Sequence, residues 1–157
     1  MDIEEQYDKL LRYCYMKLRD KSLAEDITQD TFIRFFESRD YRSMGKEMAY
    51  LYTIARNLCI DSFRKRKDEL LGDMPARMQN APDSADKMHS IDDRLSIEQA
   101  LDRLDEDERE AVVLRFSAEL SIADIGKALD ISRFAVRRRI SSALEKLRKE
   151  MAENEEL

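Results

Sequence analysis

Helix-breaking residues are scarce in this sequence, which holds only three glycines and two prolines in 157 positions. Gly72, Pro75 and Pro82 fall within one stretch, leaving Gly45 and Gly126 as the strong breakers elsewhere, so an all-α architecture is expected. Cysteine is equally sparse: Cys14 and Cys59 are far apart and sit at apolar-face positions of predicted helices, and the one histidine, His89, lies between them and the C-terminus in a polar stretch. That excludes a disulfide framework and a zinc site. Long apolar runs are missing too. The longest is Met48 to Tyr52, and the first twenty residues carry Asp2, Glu4, Glu5 and Asp8, the opposite of a signal peptide. A cytoplasmic protein without direct membrane contact is expected. No nucleophile paired with a base, phosphate-cradling glycine loop or metal cluster stands out, so neither an enzyme nor a cofactor is expected.

What is abundant is charge, and its distribution matters more than its formal net value of −6. Residues 41–67 carry seven basic side chains against two acidic ones, and residues 133–149 carry seven against one. Between them, residues 68–110 carry five against fourteen. Two basic segments in an acidic chain fit a nucleic-acid binder better than the average suggests.

Helical periodicity organises the N-terminal part. Ile3, Tyr7, Leu10, Leu11, Cys14 and Leu18 predict a first helix from about Ile3 to Arg19. Ser22-Leu23-Ala24-Glu25 has the form of a capping box and predicts a second helix to about Glu37. After a break around Asp40 to Gly45, the apolar stripe Met48, Leu51, Tyr52, Ala55, Leu58, Cys59 and Phe63 predicts a third helix ending near Lys67. Residues 68–94 are acidic and rich in Pro, Ser, Asn, Met and Asp without clear periodicity, which reads as a flexible linker between two small helical domains, 1–67 and 95–151.

The C-terminal part predicts four helices. Ser96-Ile97-Glu98-Gln99 opens one holding Ala100, Leu101 and Leu104; Asp105 to Glu108 caps a second through Phe116. Ser121 begins a short helix with Ile122, Ile125, Ala128 and Leu129 inward. Asp130-Ile131 makes a tight turn, and Ser132 caps a final helix with Val136, Ile140, Ala143, Leu144 and Leu147 as its buried stripe. Short helix, turn, long helix is the helix-turn-helix pattern. Gly126 costs its helix about 1 kcal/mol relative to alanine, and close approach of the following helix would explain it.

Opposite that buried stripe lie Phe134, Arg138, Ser141 and Ser142, with Arg133, Arg137 and Arg139 on the flanks, the face expected of a recognition helix. Arginine pairs bidentately with guanine or holds phosphate, and phenylalanine suits a thymine methyl. A basic run by itself is more often a solvated face, but the turn, glycine and caps favour DNA. The third helix has a polar face of its own, Tyr50, Thr53, Asn57, Asp61 and Arg64, with Lys65, Arg66 and Lys67 beyond; aromatic, amide and basic groups together suit single-stranded or distorted DNA. The second helix turns Glu25, Asp26, Gln29, Ile33 and Phe36 to one side, with Phe32 at its edge. This mixture suits a protein-binding patch, and equally packing against the first helix or the linker.

Ala24 to Phe32 and Tyr50 to Asp61 strongly resemble domain 2 of bacterial sigma factors, and Leu104 to Phe116 with Leu120 to Ser132 resemble domain 4. With two domains, no domain 3 and no N-terminal inhibitory region, the chain resembles the extracytoplasmic-function (ECF) subfamily. The resemblance implies a factor that recruits core RNA polymerase to promoters and promotes melting. It implies that Asp26, Gln29, Asp30 and Phe32, on the face that also carries Ile33 and Phe36, dock the β′ clamp helices. Tyr50, Arg56, Asn57, Asp61, Arg64 and Lys65 would engage the melted minus-ten element, with a flipped base held by the loop from about Asp40 to Glu47. Ser132, Arg133, Phe134, Arg137, Arg138, Ser141 and Ser142 would read the minus-thirty-five duplex, with domain 4 touching the β flap, and an anti-sigma factor would hold the protein inactive. The alternatives are a stand-alone helix-turn-helix regulator and a sigma-like adaptor that no longer reads DNA. The sequence departs from the family at Tyr50, where tryptophan is common, at Glu119 and Asp130, where glycine is frequent, and at Phe134, where the residue is usually small.

Overall fold

A computed structural model describes residues 2–38, 47–72 and 98–156. They are helical apart from short connections, and the chain divides into two compact units, residues 1–85 and 86–157. The linker from 73 to 94 and the loop from 39 to 46 lie outside the described residues, as do Ser96 and Ile97 of the expected capping box.

In the first unit, α1 (Ile3–Leu18), α2 (Lys21–Glu37) and α3 (Glu47–Gly72) each pack against the other two. Asp2 caps α1 by accepting from the Glu5 N–H, and Arg19 ends it in the left-handed region at φ 56°. The chain then turns at once into α2. Its N-cap is Asp20, whose carboxylate accepts from the Leu23 N–H at 3.1 Å, two residues before the expected cap at Ser22. Asp20 is a charged acceptor at the positive end of the helix dipole and is also held by Arg66 of α3 at 2.6 Å, which the Ser22 hydroxyl could not match.

The core collects Leu10, Tyr13 and Cys14 of α1, Ala24, Ile27 and Phe35 of α2, and Leu51, Tyr52, Ala55 and Cys59 of α3. Tyr13 and Tyr52 meet edge to face with centroids 5.4 Å apart. Cys14 and Cys59 are neighbours: hydrogen bonding from Cys59 pulls the Cys14 thiol below its ordinary value, against the opposing effect of burial and with help from Thr28. Thr28 and Thr31 satisfy their buried hydroxyls by donating to the carbonyls of Ala24 and Ile27, both at 2.7 Å.

Phe63 does not join this core and is exposed. At 1.5 Å per residue α3 runs to about 39 Å against about 24 Å for α1. The helix also continues five residues past Lys67 to Gly72.

In the second unit, residues 98–102 form a helical turn, followed by α4 (Glu106–Val112). The Asp105 carboxylate accepts from the Glu108 N–H and the Glu108 carboxylate from the Asp105 N–H, a complete capping box. The expected helix through Phe116 widens into a π turn over Val113–Ser117, closed by Ala118 N–H donating to Val113 O at 3.0 Å. That turn leaves Phe116 exposed and delivers Leu120 to the core. Arg109 donates to the carbonyls of Leu101, Asp102 and Leu104 at 2.9, 3.2 and 2.9 Å. It closes the end of the preceding helical turn.

Helices α5 (Ile122–Leu129) and α6 (Arg133–Glu156) pack together as expected of a helix-turn-helix. Ser121 caps α5 through the Asp124 N–H at 3.1 Å, and Ser132 caps α6 through the Ala135 N–H at 3.0 Å. Asp130 turns the chain in the left-handed region at φ 57°, where glycine is frequent in the resembling family. Gly126 lies so close to the turn that a Cβ would meet the Ile131 carbonyl oxygen at 2.9 Å, with Val136 of α6 next at 3.8 Å. Val136, Ile140 and Ala143 are buried as expected, but Leu144 is exposed because it sits one residue off the i, i+4, i+7 row that faces α4 and α5.

Candidate functional site

Three surfaces carry the residues singled out in the sequence, and the structure sorts each of them.

On α6, Ser132, Arg133, Phe134, Arg137, Arg138 and Ser141 are exposed together. The Ser132 oxygen is engaged as the helix cap, which leaves its hydroxyl proton to donate outward. The guanidinium of Arg138 stands over the Phe134 ring, 5.5 Å from its centroid. Ser142 is the exception. Its hydroxyl donates to Glu108 Oε2 at 2.5 Å, on the inner side of the helix, so it belongs to the packing between α6 and α4. Glu108 also accepts from Lys146 at 2.7 Å. Burial pushes the Glu108 carboxyl upward, but hydrogen bonds from Lys146, Ser142 and the Asp105 N–H outweigh it and hold it below the usual carboxylate value. Arg139 likewise turns to Asp107 at 3.8 Å. Two of the seven basic groups in residues 133–149 therefore serve the fold, and the outward positive charge of the first turns comes from Arg133, Arg137 and Arg138.

On α3, Asn57, Asp61 and Arg64 are exposed at i, i+4 and i+7, with Lys65 beside them. Tyr50, one further double turn back on the same row, is half-buried with its ring 6.1 Å from Phe35, and Arg56 is half-buried at the flank. Thr53, also assigned to this face, donates to the Ala49 carbonyl. Arg66 is set apart from its basic neighbours by the ion pair with Asp20 that ties α3 to the start of α2.

On α2, Asp26 and Gln29 are exposed, Asp30 is half-buried, and Ile33 and Phe36 are exposed large apolar residues at 56 % and 41 %. Phe32 does not share the surface. It is only 7 % exposed, stacked on Tyr7 of α1 at 6.0 Å and on Phe36 at 6.1 Å. A residue at the edge of a helical wheel falls inside when a neighbouring helix lies on that edge, as α1 does here. Phe32 supports Phe36 from beneath. The ring contacts continue from Phe36 to Phe35 at 5.4 Å and on to Tyr50, so the α2 and α3 surfaces share one aromatic layer.

Among the described residues no helix is long and apolar enough to cross a membrane.

Comparison with known proteins places the chain in a family. Residues 3–69 match the Sigma-70 region 2 family and residues 100–149 match Sigma-70, region 4. The chain is 32 % identical to the ECF RNA polymerase sigma factor SigW of Bacillus subtilis, over 96 % of this chain and 87 % of that protein. It is 34 % identical to the RNA polymerase sigma factor CarQ of Myxococcus xanthus, over 88 % and 80 %. Its fold is similar to that of the sigma factor RpoE of Bartonella quintana, solved in complex with the anti-sigma factor NepR, with a TM-score of 0.71, 24 % identity and coverage of 94 % of this chain and 92 % of that one.

Proposed function

This chain belongs to the ECF family of RNA polymerase sigma factors, whose work is promoter recognition and transcription initiation with core polymerase, and from that premise we propose how its surfaces divide the task. The α2 face, with Asp26, Gln29, Asp30, Ile33 and Phe36, docks the clamp helices of the β′ subunit. Apolar groups beside acids supply both burial and orientation there. The α3 row, Tyr50, Arg56, Asn57, Asp61, Arg64 and Lys65, engages the minus-ten element as it melts. The outer face of α6, Ser132, Arg133, Phe134, Arg137, Arg138 and Ser141, enters the major groove of the minus-thirty-five duplex while the same unit touches the β flap.

In this assignment residues 1–67 act as sigma domain 2, residues 95–151 as domain 4, and residues 68–94 as the linker between them. The chain performs no chemistry; polymerase does, and the sigma factor supplies address and melting. It acts in the cytoplasm, and an anti-sigma factor holds it inactive until a signal releases it.

The observation that supports this reading best is the exposed cluster of Arg133, Phe134, Arg137 and Arg138 directly behind the N-cap of α6, where a recognition helix meets base edges. A stand-alone helix-turn-helix regulator would account for this cluster alone. It would leave the exposed Ile33 and Phe36 and the whole of the region 2 match without a role.

Run-off transcription of genomic fragments by purified core polymerase, with and without the chain, tests the assignment. New start sites are expected only when both are present. Their absence, or specific operator protection by the chain alone, would overturn it.

A further inference from the structure

Phe134 is 70 % exposed, more than any other large apolar side chain among the described residues, and it is not left to water by itself. One helical turn along, Arg138 places its guanidinium 5.5 Å from the ring centroid. We propose that Phe134 and Arg138 act as one reading unit, taking a thymine and a guanine that lie within two base pairs of each other in the upstream promoter element. The inference rests on the reading of α6 as a major-groove helix and specifies what that helix selects.

The chemistry of the groove makes the choice. Among the base edges there, the thymine C5 methyl is the apolar group that an aromatic ring can cover, and guanine O6 and N7 are the acceptor pair that a guanidinium fork fits. A phosphate contact needs a cation and no aromatic beside it. A cation seated over the ring face leaves the ring edge to meet the methyl. It also leaves the fork of N–H donors pointing beyond the ring, held in one arrangement before the base arrives. Less rotamer freedom is then lost on binding. The separation sets the spacing: 5.5 Å falls within two base-pair rises of about 3.4 Å each, so the two bases are near neighbours. Lysine at position 138 would keep the charge and lose the planar fork.

Holoenzyme assembled from core polymerase and the full chain, on a promoter that supports run-off, provides the test. Each thymine of the upstream element is replaced singly by deoxyuridine, which removes only the methyl, and each guanine by 7-deazaguanine, which removes N7. One deoxyuridine position should weaken holoenzyme binding about fourfold, the value of one buried methyl-sized group. A 7-deazaguanine position no more than two base pairs away should weaken it at least fivefold. With Phe134→Ala the thymine and deoxyuridine templates should bind equally, and with Arg138→Ala the 7-deazaguanine effect should disappear, circular dichroism showing both variants folded. The proposal is overturned if no deoxyuridine position matters, or if Phe134→Ala weakens both templates by the same factor, which would make the ring a contact for protein. Failure of the wild-type chain to support run-off on any template would instead count against the promoter-reading role itself.

Discussion

Ser142 donates its hydroxyl to Glu108, 34 positions earlier in the chain, at 2.5 Å. This bond marks where the outward face of α6 ends and its packing against α4 begins. Ser142→Ala and Glu108→Gln should each cost about 2 kcal/mol in urea unfolding, the ordinary worth of hydrogen bonds to a charged group. Neither should change which minus-thirty-five sequences are preferred. A shift in base preference with Ser142→Ala would return that residue to the DNA-reading set.

The same carboxylate makes stability depend on pH. Because the folded Glu108 carboxyl sits below its usual value, its contribution is complete above the unfolded pKa and is lost as pH falls through the lower, folded one. Acidification should therefore narrow the gap in unfolding midpoint between wild type and Glu108→Gln. A gap that stays constant from neutral pH down to the acid transition would contradict the network.

The division of the basic groups on α6 can be read from salt dependence. Arg137→Gln should flatten the plot of log affinity against log salt by about one unit, as expected for one phosphate contact. Arg139→Gln and Lys146→Gln should leave the slope unchanged, since Asp107 and Glu108 hold those side chains on the protein. Equal flattening by all three would mean the face is an unsorted basic patch.

On α2, Gln29→Ala combined with Ile33→Ala should weaken core-polymerase binding with the helical circular dichroism spectrum unchanged. Phe32→Ala should behave differently, losing roughly 3 kcal/mol of stability as a buried ring in contact with Tyr7 and Phe36. If Phe32→Ala kept full stability and lost only polymerase binding, the burial assigned to it would be wrong.

Tyr52 is 1 % exposed, and its hydroxyl is among the buried polar atoms of the described residues that find no hydrogen-bond partner. Burial, with the Cys14 thiol as a second cause, pushes its ionisation above the ordinary tyrosine value. Removing the hydroxyl while keeping the ring against Tyr13 should raise stability, so Tyr52→Phe is expected to gain about 1 kcal/mol in thermal or urea unfolding. A loss of similar size would reveal a partner for that oxygen.

The helices, their order and the two apolar stripes of the helix-turn-helix were legible in the sequence because caps and 3.6-residue spacing are local signals. Ser121, Asp105 and Ser132 cap where their types and positions suggested. What was not legible depends on distant partners. Asp20 takes the cap from Ser22 because it sits at the α2 start and because Arg66, 46 positions on, reinforces it. Ser142 looked outward on a wheel drawn for an isolated helix, until Glu108 of α4 supplied an acceptor. Phe63 and Leu144 carried helical spacing yet are exposed, Leu144 because it sits beside the row that faces α4 and α5. Cys14 and Cys59, remote in sequence, meet because α1 and α3 pack side by side.

Permanganate footprinting of one promoter with core polymerase alone, the chain alone and the two together tests the division of labour most directly. Reactive thymines are expected in the minus-ten element only when both are present, with Arg138→Ala and the Gln29/Ile33 double variant each suppressing them. Melting of the same thymines by core polymerase without the chain, or sequence-specific protection by the chain with no melting when polymerase is added, would contradict it.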